Sequence, residues 1–147
     1  MAFLRKTIVA TAVAGLALTG TAGAAHAGTA PPKPHKFTAY GPAVKKLPHG
    51  KVVHLQTVTG TATITAWTTV KWKATNKTYN KKTGKGTIDV VFTYVSGSGI
   101  KTRSFLKIKG SDDVTFGVPM KLKRLTVQVS QGKKHGAPVA ILGKVIK

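Results

Sequence analysis

Between residues 61 and 75 (TATITAWTTVKWKAT) the chain alternates with a period of two. Ala62, Ile64, Ala66, Val70, Trp72 and Ala74 share one side of an extended backbone, with Thr68 the only polar member. Thr61, Thr63, Thr65, Trp67, Thr69, Lys71, Lys73 and Thr75 share the other. Successive strand residues point to opposite faces, whereas a helix repeats about every 3.6 residues. The pattern therefore calls for a strand with one face buried and one face wet. The branched Cβ of threonine suits that backbone.

The same period recurs downstream. Residues 51–59 precede a turn expected at Gly60. Residues 87–95 place Ile88, Val90, Phe92 and Tyr94 on one face, and Ser96-Gly97-Ser98-Gly99 reads as a hairpin loop into a strand at 100–109. A turn at 110–113, a short strand ending before Pro119, a strand at 122–130 and a last one at 139–146 complete the set. About seven strands at such turn spacings predict an all-β fold: a single antiparallel β-sandwich, Ig-like or similar. Residues 76–86 (NKTYNKKTGKG) form the longest loop, basic, flexible and a plausible contact surface.

The N-terminus reads as an export signal. Arg5 and Lys6 precede an uncharged run at 7–19 (TIVATAVAGLALT), and Ala25-His26-Ala27 has the small-x-small form of a cleavage site. The run is too short to cross a bilayer as a helix. Residues 1–27 are thus expected to be a secretory signal peptide, and the protein to be secreted and extracellular. The Ala- and Gly-rich signal resembles those of high-GC bacteria. Removing 27 of 147 residues leaves 120, enough for one core. There is no Cys, so neither disulfides nor a lipid-anchored cysteine can help, and the core must suffice. Residues 28–50 (GTAPPKPHKFTAYGPAVKKLPHG) hold five of the seven prolines. Prolines favour an extended, polyproline-like path. The segment is therefore expected to be an extended arm ahead of a β-domain at 51–147.

Little in the chain supports catalysis. The only acids are Asp89, Asp112 and Asp113, and there is no Glu. A turn accounts for the adjacent pair. Paired carboxylates at a fixed separation, as glycoside hydrolysis needs, have almost no candidates. The mature histidines are His35, His49, His54 and His135, without a metal-ligand spacing, so no metal and no cofactor is expected. There is no nucleophile elbow and no phosphate loop. The expected class is a non-enzyme.

Binding features are clearer. Lys and Arg number 24 against 3 acids, and losing Arg5 and Lys6 with the signal takes the formal net charge from +21 to +19. Such a charge attracts polyanions at long range. Lys101, Arg103, Phe105, Lys107 and Lys109 share one parity, so a strand there would show four cations around an aromatic. Trp67, Lys71 and Lys73 share a face in the same way. If the two strands are neighbours, Trp67 and Phe105 form an aromatic platform among cations, a surface for sugar or single-stranded nucleic acid. Lysines also keep strand edges soluble, which accounts for them without a ligand. No nucleic-acid-binding motif accompanies them. In the arm, Phe37, Tyr40, Val44 and Leu47 are spaced to dock on a partner protein. A catalysis-free β-domain with a docking arm resembles, in architecture alone, the small adaptor subunits of secreted umbrella toxin particles. The sequence thus points to a secreted cationic adaptor or binding protein. Its expected partner is another secreted protein or an anionic cell-envelope polymer. The alternatives are a cationic antimicrobial effector acting directly on envelopes, and an extracellular nucleic-acid- or polysaccharide-binding module. N-terminal sequencing of the exported protein should give Gly28 as its first residue; a retained Met1 would refute the signal peptide.

Overall fold

Segments with alternating apolar residues pair into two antiparallel sheets in the computed structural model, which describes residues 30–147. The expected signal peptide at 1–27 lies outside the described residues. In chain order the strands are β1 (His35–Tyr40), β2 (Val44–Lys46), β3 (Val52–His54), β4 (Gln56–Thr63), β5 (Thr68–Asn76), β6 (Ile88–Ser96), β7 (Gly99–Ile108), β8 (Ser111–Val118), β9 (Leu125–Gln131), β10 (Lys134–His135) and β11 (Val139–Leu142). The first sheet runs β1-β4-β5-β8, and the second runs β10-β9-β6-β7 with β11 also on β9. A short hairpin, β2-β3, stands apart from both. The protein is thus nearly all β. The immunoglobulin arrangement moves its third strand into the opposite sheet. Here β4 and β5 stay together as a hairpin, and β8 joins at the far side of β5.

The inner faces of the two sheets share one core. Trp72, Val70 and Ala74 of β5, Val58 and Ala62 of β4 and Phe116 of β8 meet Ile88, Val90 and Phe92 of β6 and Leu125, Val127 and Val129 of β9. Aromatic rings fill the centre. Phe92 lies 4.9 Å from Phe116, 5.7 Å from Trp72 and 6.0 Å from Phe37, centroid to centroid. Edge-to-face contacts at such distances add to the burial of area. The Trp72 indole N–H is buried without a hydrogen-bond partner, so this residue contributes through its apolar bulk.

Residues 61–75, expected as one strand, are instead the end of β4, a turn at 64–67 and most of β5. The alternation survives the turn because even-numbered residues oppose even-numbered ones: Ala62 faces Val70 and Gly60 faces Trp72. Every inward residue on both strands thus keeps one parity, and the hairpin imitates a single strand. The Thr65 hydroxyl shapes the turn by donating to the Trp67 carbonyl (2.7 Å). Of the expected inward set, Ala66 sits exposed in this turn and Ile64 is half-buried. Gly60, expected to turn the chain, lies inside β4. A Cβ there would collide with the Phe37 ring and the Trp72 Cβ. Glycine is thus needed for close packing, not for bending.

The expected arm is also different. Residues 35–40 form β1, paired along its whole length with β4 from His35 opposite Ala62 to Tyr40 opposite Thr57. Phe37 and Ala39 are buried in the core. Prolines do keep residues 31–34 out of the sheet, but β1 is an edge strand, where one side of the backbone needs no ladder partner. The loop after β5 is likewise held in place. Asn76 Nδ2 donates to the carbonyls of Gly86 (2.8 Å) and Ile108 (3.2 Å). The Thr78 hydroxyl donates to Asn76 Oδ1 (2.6 Å) and accepts from Gln56 Nε2 and Gln131 Nε2 (3.0 Å each).

A chain starting at Lys51 lacks β1 and the ring that packs on Phe92. It should lose its cooperative thermal transition, and Phe37→Ala in the full domain should cost about 3–5 kcal/mol. Thermal and urea unfolding followed by circular dichroism measure both. Unchanged melting of the shortened chain would show that β1 is dispensable.

Candidate polyanion-binding surface

The outward residues of the first sheet follow from the register of its strands. Lys36, Thr61, Lys71 and Thr115 lie in one row across β1, β4, β5 and β8, and Thr38, Thr59, Lys73 and Asp113 form the next. Tyr40, Thr57, Thr75 and Ser111 make a third row, and Thr63, Thr69 and Gly117 a fourth at the opposite end. Residues directly opposite on neighbouring strands stand side by side on one face. This face is therefore threonine hydroxyls around three lysines. Lys36, Lys71 and Lys73 are all exposed. A shallow depression of about 180 Å³ opens among Thr59, Thr61, Lys71, Lys73 and Asp113, floored by Gly60 and Trp72.

Aromatic groups stand at both ends. Trp67 is 57% exposed, and its indole covers Gly117, where a Cβ would collide with Nε1. At the other end the Tyr40 ring stacks on His54 of β3 at 3.8 Å, nearly parallel. Sequence reasoning found Trp67, Lys71 and Lys73. It also placed Thr61 and Thr63 on that face, but it assigned Lys36 to the arm and did not extend the outward threonine period back through Thr59 and Thr57 of β4.

The expected aromatic platform is not assembled. Phe105 belongs to β7 in the second sheet and turns inward, 4.9 Å from Trp72 and 5.4 Å from Phe116. Trp67 sits on the outside of the first sheet, so the two never share a surface. The expected row of four cations on β7 is also broken. Between Ile88 opposite Ile108 and Val90 opposite Phe105, β7 carries one extra residue, and such a bulge shifts every later side chain to the other face. Lys101 and Arg103 share the side of Phe105. Beyond the bulge it is Ile108 that turns inward, 5% exposed, so Lys109 points away. Lys107 takes up the bulge with φ of 56°. Its amide leaves the ladder and donates to Asp89 Oδ1 (2.8 Å). Asp89 thus satisfies a lysine's backbone amide rather than its ammonium group.

Of the four expected docking residues, Phe37 is in the core. Leu47 is half-buried, and Tyr40 and Val44 are exposed, each 43%. Val44 stands opposite His54, and Lys46 opposite Val52, on the β2-β3 hairpin. The 76–86 loop closes on itself: Asn80 N donates to the Lys85 carbonyl (2.8 Å), and Asn80 Oδ1 accepts from the amides of Lys82 (2.9 Å) and Thr83 (3.3 Å). It offers Lys77, Lys81, Lys82 and Lys85 on a defined turn. Among the described residues no three His, Asp, Glu or Cys side chains come together as a metal site, and no helix is long and apolar enough to cross a membrane. No family model matches the chain, and no curated protein or solved structure shows significant similarity to it.

The bulge makes a direct test of this geometry. A left-handed backbone costs a non-glycine residue about 1–2 kcal/mol, partly offset by the extra unfolded-state freedom of glycine. Lys107→Gly should therefore leave stability unchanged or raise it by up to about 1 kcal/mol, whereas Lys109→Gly should lower it. Equilibrium urea denaturation of both variants checks the difference.

Proposed function

We propose that this protein is a secreted, non-catalytic binder of anionic polymers that acts through its basic surface. The carrying observation is charge of one sign: 24 Lys and Arg against 3 acids. Two of the three acids accept backbone amides, and the third faces a lysine across the ladder. Asp89 holds the β7 bulge, Asp113 stands opposite Lys73, and Asp112 accepts from the Asp113 amide (3.1 Å). The cations are exposed on the first sheet, on the 76–86 turn and along β7. Placed outside a cell, this distribution draws the protein to envelope polymers, acidic polysaccharide or nucleic acid.

A second reading has its own support. The β2-β3 hairpin, with Tyr40 beside it, exposes Val44 (43%) and Val52 (45%) on a small apolar patch. Such a patch suits a protein partner, so the adaptor role moves from an extended arm to this hairpin. Direct antimicrobial action is the alternative in which the polymer is the target envelope; growth inhibition by the pure protein supports it.

Binding driven by exposed charges is screened by salt, with the Debye length falling from about 10 Å at 0.1 M to about 3 Å at 1 M. The mature protein should bind heparin or teichoic acid at low salt and release it well before 1 M NaCl. Retention at that concentration would contradict an electrostatic mechanism, and no binding at low salt would overturn the proposed function.

A further inference from the structure

We infer that the outer face of the first sheet is the specific binding site, and that it takes a phosphodiester-linked sugar or polyol chain of the teichoic-acid kind. The inference rests on the polyanion-binding reading and names the surface and ligand within it. Most cations of this protein lie on turns, edges or chain segments, where lysines serve solubility and block edge pairing. Lys71 and Lys73 do not: β5 has β4 on one side and β8 on the other. Neither residue protects an edge.

The chemistry of the face selects the ligand. Lys71 and Lys73 are two residues apart, about 7 Å along a strand, and Lys36 lies two strands over from Lys71, about 10 Å away. These are three cations on backbone positions fixed by the sheet, each a point charge with rotatable donors that can meet successive phosphates of a flexible chain without imposing one orientation on them. Around them the hydroxyls of Thr38, Thr59, Thr61 and Thr115 each donate and accept, matching a polyhydroxyl chain. The four rows span about 20 Å along the strands. The ends carry the part-exposed rings of Trp67, one side of which covers Gly117, and Tyr40, one face of which is stacked on His54, so a sugar ring would meet the remaining side of each. Single-stranded nucleic acid fits less well. Its bases need successive aromatic platforms, and the two middle rows contain only threonine, lysine and Asp113. Asp113 is the one group on the face that opposes an anion, and it supplies a test of opposite sign.

The decisive experiment measures affinity of the full mature protein for purified poly(glycerol phosphate) teichoic acid at fixed salt. Single-stranded DNA and polygalacturonate of matched charge are compared. Two triple variants remove the same net charge: Lys36→Gln, Lys71→Gln, Lys73→Gln on the face, and Lys121→Gln, Lys133→Gln, Lys134→Gln elsewhere. The face variant should lose at least tenfold in affinity, and the other no more than about threefold. Thr59→Val with Thr61→Val, which keeps the charge, should lose several-fold, and Asp113→Asn should gain two- to fivefold. Circular dichroism verifies that each variant is folded. Equal losses in the two triple variants would overturn the inference while leaving polyanion binding intact. Tighter binding of DNA or polygalacturonate than of teichoic acid would overturn the assigned ligand. No binding of any polymer by the unaltered protein would remove the underlying reading as well.

Discussion

Everything on the surface of this protein depends on the aromatic packing between its two sheets. Without a cysteine, nothing covalent joins them, and burial of apolar area has to do so. Phe92 is the centre of that packing. Phe37, Trp72, Phe105 and Phe116 all approach it within about 6 Å, from β1, β5, β7 and β8. Both sheets are held from the inside through residues on alternate positions of their strands. The outward positions are thereby fixed as well, because in a strand one set of directions implies the other. The lysines and threonines of the first sheet owe their layout to the rings behind them.

A second device works at one end of the sandwich. Asn76, Thr78, Gln56 and Gln131 join β4 and β5 of the first sheet to β9 of the second through side-chain amides and one hydroxyl. A hydroxyl has one donor and two acceptor sites, and Thr78 fills that complement. Gln56 is fully buried, with its amide oxygen taking the Ala43 amide (3.1 Å). Buried polar groups are costly unless satisfied, so this cluster specifies one arrangement of the strands where apolar packing alone would permit several. It also anchors the start of the lysine-rich turn at 76–86.

The excess of positive charge opposes compaction through self-repulsion. Its distribution reduces that cost, because the charged groups are spread over strand edges, turns and one sheet face and stay in water. At β7 the lysines also guard a long edge that could otherwise pair with another chain, and the bulge at Lys107 interrupts the ladder there. On β5 the same explanation fails, since that strand has neighbours on both sides. This contrast, between cations that an edge accounts for and cations that it does not, is the observation on which the proposed binding role of the outer face rests.

The sequence alone determined the β class, the inward set around Val70, Trp72, Ile88, Val90 and Phe92, and the dominance of positive charge, because period and composition are local properties. It could not locate the turn at 64–67. Parity is conserved across that turn, so a hairpin and a single strand give the same alternation. Nor could it find the bulge, because one extra residue in β7 is visible only against the partner strand. The prolines before residue 35 suggested an arm; only pairing with β4 and the pocket left by Gly60 made β1 a part of the core. The same limit applies to the site. Trp67, Lys71, Lys73 and the outward threonines beside them were legible in the sequence, but their alignment with Lys36, Thr115 and Gly117 was not. They join across strands far apart in the chain, and tertiary register alone decides which residues stand side by side.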